Sequence, residues 1–456
     1  MTSIECLSET QVASRDGLTR SNREVYELLL KEEPEADAVA SMFLQRHLAS
    51  TNTIADELPE DPEQLFAWSQ SRCAAVAEQY AYYLGSRRTG AGRQYFQNKS
   101  HALYFLQHVG PTKLVDGAWL AGVLQHVQDI RFDHLLEIYL EELGDGVPSQ
   151  NHVRIYRQLL TEHACDDLSG LGDECFLQGA LQLALGRCAD SMLPEVIGYN
   201  LGYEQLPLHL LISTYELHEL GIDPHYFRLH VTIDNASTGH AHRAVQALHD
   251  LLPPGEQRAA FYRRVTQGYR LNDLGSGSVT VIQAFDLQRE VMTMLERKTV
   301  FGRLMHSDYC RIENRTVNQW LATPGQMAAF LDALIRKGWI KRGEDPVESR
   351  FWQLIDGSPA VMFGVFSSYE KQLMHDWIAD GWQNAKQRAR VPVKAVDELA
   401  EAVSDSETQA LQRTLQAQSP VEQMKTLIPW LAPQRHWRPA GLFATRRFIE
   451  LRKVIR

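Results

Sequence analysis

The chain has 456 residues, of which 44% are hydrophobic and 23% are charged, and its formal net charge is −11. This length and composition allow a large buried core in one or two domains and are not typical of a disordered chain. The acidic balance argues against nucleic acids and anionic membranes as partners, because both are negatively charged themselves. The sequence contains no run of eighteen apolar residues, so we expect no membrane span.

The cysteines and the start of the chain suggest a cellular compartment. The six cysteines form no CxxC pair and no regular spacing: Cys6, Cys73, Cys165, Cys175, Cys188 and Cys310. This pattern predicts reduced thiols and gives no support to a zinc site or a disulfide framework. Residues 1–6 lack the basic segment and apolar run of a secretory signal. Together these features favour the cytoplasm.

Helical periodicity dominates the chain. Apolar residues recur at three- and four-residue steps in segments 25–31, 64–84, 135–143 and 153–163. The best alternating, strand-like pattern spans residues 279–285, and it runs directly into a helical stretch. The sequence therefore predicts an all-α fold.

Changes in composition predict three regions. Residues 1–65 are polar and are expected to form a peripheral segment, whereas residues 66–300 contain long apolar helices separated by short Gly/Pro turns and are expected to form a helical bundle. Residues 301–456 are richer in tryptophan and should form a helical extension or a dimerisation layer. Their basic end, residues 435–456, is expected to be an amphipathic helix that docks onto the acidic body.

The first candidate site lies where one predicted helix ends and the next begins. Glu142 closes an apolar helical run, and His152 opens the following one. Two residues ten apart on a straight helix would point about 80° away from each other, since each residue turns about 100°. The breaks at Gly144, Gly146 and Pro148 remove that restriction. A surface acid and a histidine at a helix start are the alternative interpretation.

A second candidate is Glu204, which ends an apolar helix containing Leu193, Val196 and Leu201. A buried carboxylate without a partner is costly, so a cation or a metal ion is expected beside it. Glu195, nine residues earlier, falls on the opposite helical face and is expected to be exposed to solvent.

The third candidate is the stretch of residues 226–242, in which histidines and an aspartate occur at helical spacing. His230 and Asp234 are four apart and share one helical face. His240 lies six residues beyond Asp234 and would point elsewhere on a regular helix, unless residues 235–239 form a bulge that turns it back. Carboxylates and imidazoles that project inward from facing helices bind iron or manganese. A buried His–Asp hydrogen-bonded pair is the alternative.

Together, these residues resemble the heme-oxygenase-like diiron oxidases, a family of iron-containing redox enzymes, and in particular a longer subgroup with a C-terminal extension. In this family the ligands follow a fixed order: an early acid, a Glu and a His, a later Glu, and finally an Asp and a His. Over roughly residues 100–250 the same order is followed by Asp116, Glu142, His152, Glu204, Asp234 and His240. The first position departs from the pattern, because the family more often has Glu where this chain has Asp116.

The resemblance implies a heme-oxygenase/thiaminase-like helical bundle over residues 66–300. It also implies two Fe(II) ions, with manganese as an alternative metal, O2 as a co-substrate and no heme. The implied function is a non-heme diiron oxidase or oxygenase in natural-product metabolism. It would oxidise a small amino acid or a related carboxylate by desaturation, C–C cleavage, N-oxygenation or cyclisation. Helix geometry favours His230 as the partner of Asp234 and the family spacing favours His240; we keep both as candidate ligands and prefer His240.

Substrate-binding candidates lie next to the candidate ligands in the sequence. Lys113, Arg154 and Arg243 are candidate anchors for a substrate carboxylate, and Tyr203 is a candidate pocket residue. Each cation has an alternative interpretation as an ordinary surface residue. The expected partner is a small molecule, neither a nucleic acid nor a membrane, and the sequence allows a homodimer.

Three alternative functions remain open from the sequence. A non-catalytic helical interaction protein would use the same acids and histidines as a buried hydrogen-bonded network. A thiaminase-type hydrolase would need a nucleophilic cysteine, and no cysteine neighbours the candidate ligands in sequence. A heme protein would need a proximal histidine on the first core helix, where His101 and His108 are candidates.

Overall fold

The computed structural model describes residues 20–31, 33–234, 238–357, 362, 364–382 and 405–455. Most of these residues are helical. Within the described ranges the strands form one short antiparallel hairpin, β1 (Arg311–Ile312) with β2 (Arg315–Thr316). The predicted all-α fold class is confirmed.

The helices are numbered here in chain order. The first thirteen are α1 (Asn22–Leu29), α2 (Ala36–Ser50), α3 (Leu65–Arg88), α4 (Lys99–His108), α5 (Gly110–Lys113), α6 (Asp133–Glu142), α7 (His152–Glu162), α8 (Leu177–Arg187), α9 (Leu193–Tyr203), α10 (Leu208–Glu219), α11 (His225–Ile233), α12 (His240–Leu251) and α13 (Gln257–Arg270). The next are α14 (Ser278–Gln283), α15 (Leu287–Gly302), α16 (Val317–Ala322), α17 (Met327–Arg336), α18 (Arg350–Asp356), α19 (Ser368–Ala379), α20 (Ser406–Leu415), α21 (Pro420–Leu427) and α22 (Pro439–Ile455).

Short 3-10 helices connect several of these elements. They are Thr51–Thr53, Pro62–Gln64, Ala118–His126, Ile130–Phe132, Gly144–Gly146, Asp173–Phe176, Leu271–Asp273, Pro346–Glu348 and Ile428–Leu431.

The segments with the clearest helical periodicity form α1, α3, α6 and α7, close to their predicted bounds. The strand-like pattern at residues 279–285 is an exception, because most of it lies in α14. Ile282 is buried there, and its carbonyl oxygen lies 2.7 Å from Nε2 of His101 on α4. Tertiary packing therefore overrides the local strand pattern at this point.

Two buried hydrophobic clusters form the core. The first contains side chains from α1, α2, α6, α8, α9, α12, α13 and the C-terminal helices α20 to α22. The second contains side chains from α4, α7, α10, α11 and α14 to α19. The helices that carry the candidate ligands come from both clusters, so those residues lie where the two clusters meet.

The region after residue 300 divides between the two clusters, since α16 to α19 join the second and α20 to α22 join the first. The predicted docking helix at the end of the chain is α22. It buries Phe448 and Leu451, and its Arg452 forms a 3.1 Å ion pair with Asp133 on α6. The domain boundaries near residues 65 and 300 stay predictions.

Several expectations about single residues can be compared with the structure. Glu195 was expected to be exposed, and this expectation is wrong: its carboxylate is buried and pairs with Arg264, at 2.7 Å from each oxygen, because α13 packs across that face of α9. The cysteines described by the structure are free thiols, and Cys6 lies outside the described residues. None of the described helices combines the length and apolar character needed to cross a membrane.

Candidate metal centre

Asp116 is placed by a tight turn between α5 and the 3-10 helix Ala118–His126. Gly117 follows it with φ +80°, a conformation that L side chains rarely adopt, and a Cβ atom there would lie 2.9 Å from Cβ of Glu142. Only glycine therefore lets the Asp116 turn approach the end of α6 this closely. The local sequence Asp-Gly thus brings the carboxylate of Asp116 next to Glu142.

Glu142 and His152 converge, although ten residues separate them. The loop between them contains three consecutive left-handed residues, Gly144, Asp145 and Gly146, with φ of +64°, +51° and +77°. This loop reverses the chain direction between α6 and α7, and His152 Nδ1 lies 2.5 Å from Oε2 of Glu142. Both residues are 2% exposed or less.

A first group of possible metal ligands comprises Asp116, Glu142, His152 and His230. One donor atom of each residue lies within 4.8 Å of a donor atom of every other. His230 Nε2 is 3.4 Å from Oδ2 of Asp116, and the rings of His152 and His230 are 4.5 Å apart between centroids. All four residues are buried.

A second group comprises Glu142, Glu204 and His240, again with donor atoms within 4.8 Å of one another. His240 Nδ1 lies 3.0 Å from Oε2 of Glu204, 3.5 Å from Oε1 of Glu142 and 3.4 Å from Oδ1 of Asp234. Asp234 thus borders the second group. The two groups share Glu142, which directs Oε2 towards His152 and Oε1 towards His240.

The structure places His230 in the first group and His240 in the second. His230 is the candidate ligand on α11. The backbone amide of Asp234, which follows this helix, donates to the His230 carbonyl. His240 is the first residue of α12. The predicted bulge at residues 235–239 falls partly outside the described residues, since residues 235–237 are not described.

Three polar atoms of these candidate ligands are buried without a hydrogen-bond partner among the described residues: Glu204 Oε1, His230 Nε2 and Asp234 Oδ1. Buried polar atoms of native proteins normally have a partner, because leaving one without a partner is costly. Carboxylate oxygens and imidazole nitrogens are the donors that iron and manganese bind. The donor set therefore fits a metal ion in both groups.

The electrostatics of the cluster also fit bound cations. Burial, together with the nearby negative charge of Asp116, raises the pKa of Glu142 to about 8, and burial raises the pKa of Glu204 to about 8 as well. Burial lowers the pKa of His152 to about 4, so its ring is neutral near pH 7 and has a lone pair available. Burial in this cluster disfavours the ionised form of these carboxyl groups, and a bound cation would favour that form instead.

The remaining nitrogen of His240 has a separate partner that the sequence did not indicate. His240 Nε2 lies 2.8 Å from Oε2 of Glu141, and the other oxygen of Glu141 accepts a hydrogen bond from Arg243. Burial would lower the pKa of His240, but Glu204, Asp234 and Glu141 raise it well above its ordinary value. Glu141 therefore holds the ring with Nδ1 directed at the second group.

Asp116 is held by two tyrosines and a lysine. Tyr203 donates to Oδ1 at 2.7 Å, Tyr226 donates to Oδ2, and Nζ of Lys113 lies 3.9 Å from Oδ1. Burial would raise the pKa of Asp116, but the charge of Lys113, together with His230 and His152, brings it below the ordinary value. Lys113 also donates to Tyr203 at 2.7 Å.

A cleft of about 450 Å³ opens beside the two groups. Lys113, Tyr203, His230 and Asp234 all line it, so two candidate ligands and two candidate substrate-binding residues face one space. Its walls also include aromatic, apolar, amide and hydroxyl side chains: Phe105, Val109, Thr112, Gln178, Leu206, Phe227, Asn272 and Ser278. This volume suits a small molecule.

Two other residues of the cleft were not singled out from the sequence. Cys73 lines it, although no cysteine neighbours the candidate ligands in the sequence; α3 carries this thiol there from a distant part of the chain. His209 lines it too, and burial together with the charge of Lys113 lowers its pKa to about 4. His209 is therefore a neutral hydrogen-bonding group at neutral pH.

The other two candidate substrate anchors lie elsewhere. Arg154 and Arg243 do not line the cleft: Arg154 Nη1 lies 3.5 Å from the Trp437 carbonyl oxygen, and Arg243 pairs with Glu141. The histidines considered for heme have partners of their own. His101 accepts from the Gln97 amide and contacts Ile282, and His108 Nδ1 lies 2.9 Å from the Tyr104 carbonyl.

The fold and the site together define the class of protein. It is an all-helical protein whose two overlapping groups of buried carboxylates and imidazoles could hold metal ions. Residues 103–273, which are less than half of the chain, match the model of a family of iron-containing redox enzymes. The family resemblance inferred from the sequence is confirmed over this range, which contains every candidate ligand. No curated protein and no solved structure matches the chain.

Proposed function

We propose that the protein is an O2-dependent non-heme oxidoreductase that holds two iron ions, one in each ligand group, with manganese as an alternative metal. Asp116, His152 and His230 would bind one ion, Glu204 and His240 would bind the other, and Glu142 would bind both. Asp234 would complete the second site. The family match to iron-containing redox enzymes supports the class of reaction.

The observation that carries this proposal is the position of Glu142. Its two oxygens face two different histidines, at 2.5 Å and 3.5 Å, and the residues around each oxygen form a separate possible ligand group. A carboxylate with this arrangement can bridge two cations, whereas an ion pair with a single histidine would not require both of its oxygens. The three buried atoms without hydrogen bonds support metal binding in both groups.

We propose a small amino acid or a related carboxylate as the substrate. The Lys113 ammonium lines the cleft, lies 3.9 Å from Oδ1 of Asp116 and would bind the substrate carboxylate. Apolar walls around Phe105 and Phe227 would accept the side chain. The acids Glu57 and Asp273 also line the cleft and are suited to a substrate amine.

The residues of the chain would have separable roles in the reaction. When bound, the iron ions supply the reduction of O2 that is coupled to oxidation of the substrate. Tyr203 and Tyr226 orient Asp116, and Glu141 orients His240. Lys113 would fix the substrate, and the buried helical shell would limit the access of water to the reacting atoms.

The first test is an anaerobic titration of metal-free protein with Fe(II), followed by exposure to O2 while absorption is recorded. We expect about two ions to bind per chain and a visible absorption change on oxygenation that substrates of the proposed class accelerate. Glu204→Ala and Asp234→Ala should prevent normal loading while the helical circular dichroism is retained. Unchanged iron content in both variants would contradict the assignment.

The two histidines allow a sharper test of two metal positions. His230→Gln and His240→Gln should each reduce binding from about two ions to about one, because each histidine belongs to a different group. His126→Gln is a control, since His126 lies outside both groups and its Nε2 is 2.7 Å from Oδ1 of Asp190. Full stoichiometry in either candidate variant would remove that residue from the ligand set.

The alternative is a helical interaction protein in which the same residues form a hydrogen-bonded network. The close contacts of Glu142 with His152 and of Glu204 with His240 are compatible with such a network. Absence of metal uptake by the wild-type protein under anaerobic conditions would favour this alternative over the enzyme.

A further inference from the structure

The loop that joins Glu142 to His152 is contacted by a segment almost three hundred residues away in the chain. Arg446 on α22 donates to the Gly146 carbonyl at 2.5 Å. A Cβ atom on Gly146 would lie 2.5 Å from the Leu442 carbonyl oxygen, so the backbone of α22 passes directly against this loop. The left-handed part of the loop is thus packed against the C-terminal helix.

Asn151 is the main link between the loop and its surroundings. Its Oδ1 accepts from the Arg154 amide at 2.9 Å and so caps α7, the helix that begins with His152. Its Nδ2 donates to the Leu143 carbonyl at 3.0 Å, next to Glu142. The second hydrogen of Nδ2 is directed at Nδ1 of His436, also at 3.0 Å.

His436 accepts this hydrogen bond, because an amide nitrogen can only donate. Asn151 is 0% exposed and His436 is 1% exposed, so bulk solvent does not reach this contact. One buried side chain therefore connects the residue after Glu142, the helix of His152 and the C-terminal segment.

The same segment also contacts α6, the helix that ends in Glu142. Tyr139 donates to the Leu431 carbonyl at 2.5 Å, and Arg452 pairs with Asp133. Buried Phe448 adds apolar contact in the first core cluster. Residues 428–452 thus contact α6, the loop and, through Asn151, the start of α7.

We propose that residues 428–452 position the metal centre, and that the Asn151–His436 hydrogen bond is the contact through which this segment sets the relative position of Glu142 and His152. This inference rests on the proposed function, because it assumes that these two side chains bind metal. It assigns a role to a part of the chain that lies outside the segment matching the iron-containing redox enzymes.

The test compares metal affinity in full-length variants, with Co(II) under anaerobic conditions as the probe. His436→Ala removes the acceptor, and we expect the affinity to fall about tenfold, as is typical for groups that orient metal ligands. His436→Gln offers an amide oxygen to Asn151 and should recover most of that loss. Arg447→Ala is the control, since Arg447 lies in the same C-terminal segment, on α22, and contacts Glu450 and Gln423 away from the loop.

Hydrogen exchange at residues 143–151 provides a readout that does not depend on metal. We expect faster exchange in His436→Ala than in the wild type and in Arg447→Ala. If His436→Ala does not fold, Asn151→Asp is used in its place, because it keeps the acceptor that caps α7 and removes both donors. Affinity and exchange equal to those of the wild type in a folded variant would overturn the proposal.

The outcome also separates this inference from the proposed function. Wild-type protein that binds two ions, with a folded His436→Ala variant that binds them equally well, overturns the positioning role alone. Wild-type protein that binds no metal overturns both.

Discussion

His240 contacts carboxylates through both of its ring nitrogens. Nδ1 faces Glu204, Glu142 and Asp234, whereas Nε2 faces Glu141 alone. The side chain of Glu141 is 32% exposed, while those of Glu142 and Glu204 are 2% exposed. Glu141 therefore lies at the edge of the cluster, where it is suited to orient a ligand more than to bind a metal ion itself.

We predict that Glu141→Gln weakens metal binding about tenfold without abolishing it, because carboxylates that accept from a ligating histidine typically contribute this much. The amide can still contact His240 but no longer carries the charge that fixes which nitrogen is protonated. The measurement is the Co(II) or Fe(II) dissociation constant of the metal-free variant.

The matched control for this prediction is Glu137→Gln, one helical turn earlier on α6. Glu137 also lies near Arg243, at 4.0 Å, but it has no contact with His240 among those that the structure describes. Equal losses of affinity in both variants would indicate a general effect of charge and would contradict a specific role for Glu141.

The sequence could identify the ligand candidates because their chemical types recur in a known order. Glu142 and Glu204 stand out as acids at the ends of apolar helices, whereas Asp116 was indicated only by the position that the family resemblance assigns to the first acid. Glu141 does not stand out, since it is the first residue of a Glu-Glu pair. The direction of its side chain depends on how α6 is rotated about its axis relative to α12. The contact of Asn151 with His436 spans 285 positions in the chain, and nothing in the sequence near either residue indicates it.

At the scale of elements, α9 and α13 approach each other through two glycines. A Cβ atom on Gly198 would lie 1.9 Å from the Val265 carbonyl oxygen, and one on Gly268 would lie 2.1 Å from the Glu195 carbonyl oxygen. These helices can pack at this distance only with hydrogen at both positions. The contact fixes α9, and α9 ends one residue before Glu204.

We predict that Gly198→Ala lowers the free energy of unfolding by about 2 kcal/mol or more, because the added methyl group meets a backbone atom that cannot move aside. Urea unfolding followed by circular dichroism measures this change. Metal affinity should fall as well, since Glu204 follows the end of α9 and would shift with the helix.

Gly85→Ala on α3 is the control for this effect. No atom lies within 4 Å of a Cβ at that position, so alanine should leave stability unchanged or raise it by up to about 1 kcal/mol through its better helix propensity. Similar destabilisation of both variants would contradict the packing explanation.

The helices themselves were the most predictable part of the fold. Periodicity identified α1, α3, α6 and α7 because apolar residues recur in each at three- and four-residue steps. It failed at α14, whose residues alternate like a strand, and at Glu195, whose burial depends on a helix almost seventy residues later in the chain. Helix existence is thus encoded locally, whereas the face that is buried depends on which helices pack together.

For the whole molecule, the candidate ligands connect parts of the chain from Asp116 to His240 and helices from both core clusters. Unfolding would separate them, so a bound ion should stabilise the native state relative to the unfolded chain. In the metal-free protein burial disfavours the ionised carboxylates, as the raised pKa values of Glu142 and Glu204 indicate.

We therefore predict that metal ions raise the thermal unfolding midpoint. At an ion concentration a hundred times the dissociation constant, binding contributes about 2.7 kcal/mol, which corresponds to about 3 °C for a chain of this size. The measurement is the unfolding midpoint of metal-free protein with and without Mn(II), which avoids oxidation by air. Glu204→Gln should reduce the increase because it removes a carboxylate ligand of the second group, whereas Glu162→Gln, on α7 but outside both groups, should retain it. An equal increase in the wild type and in Glu204→Gln would mean that the stabilising ion binds elsewhere on this acidic protein.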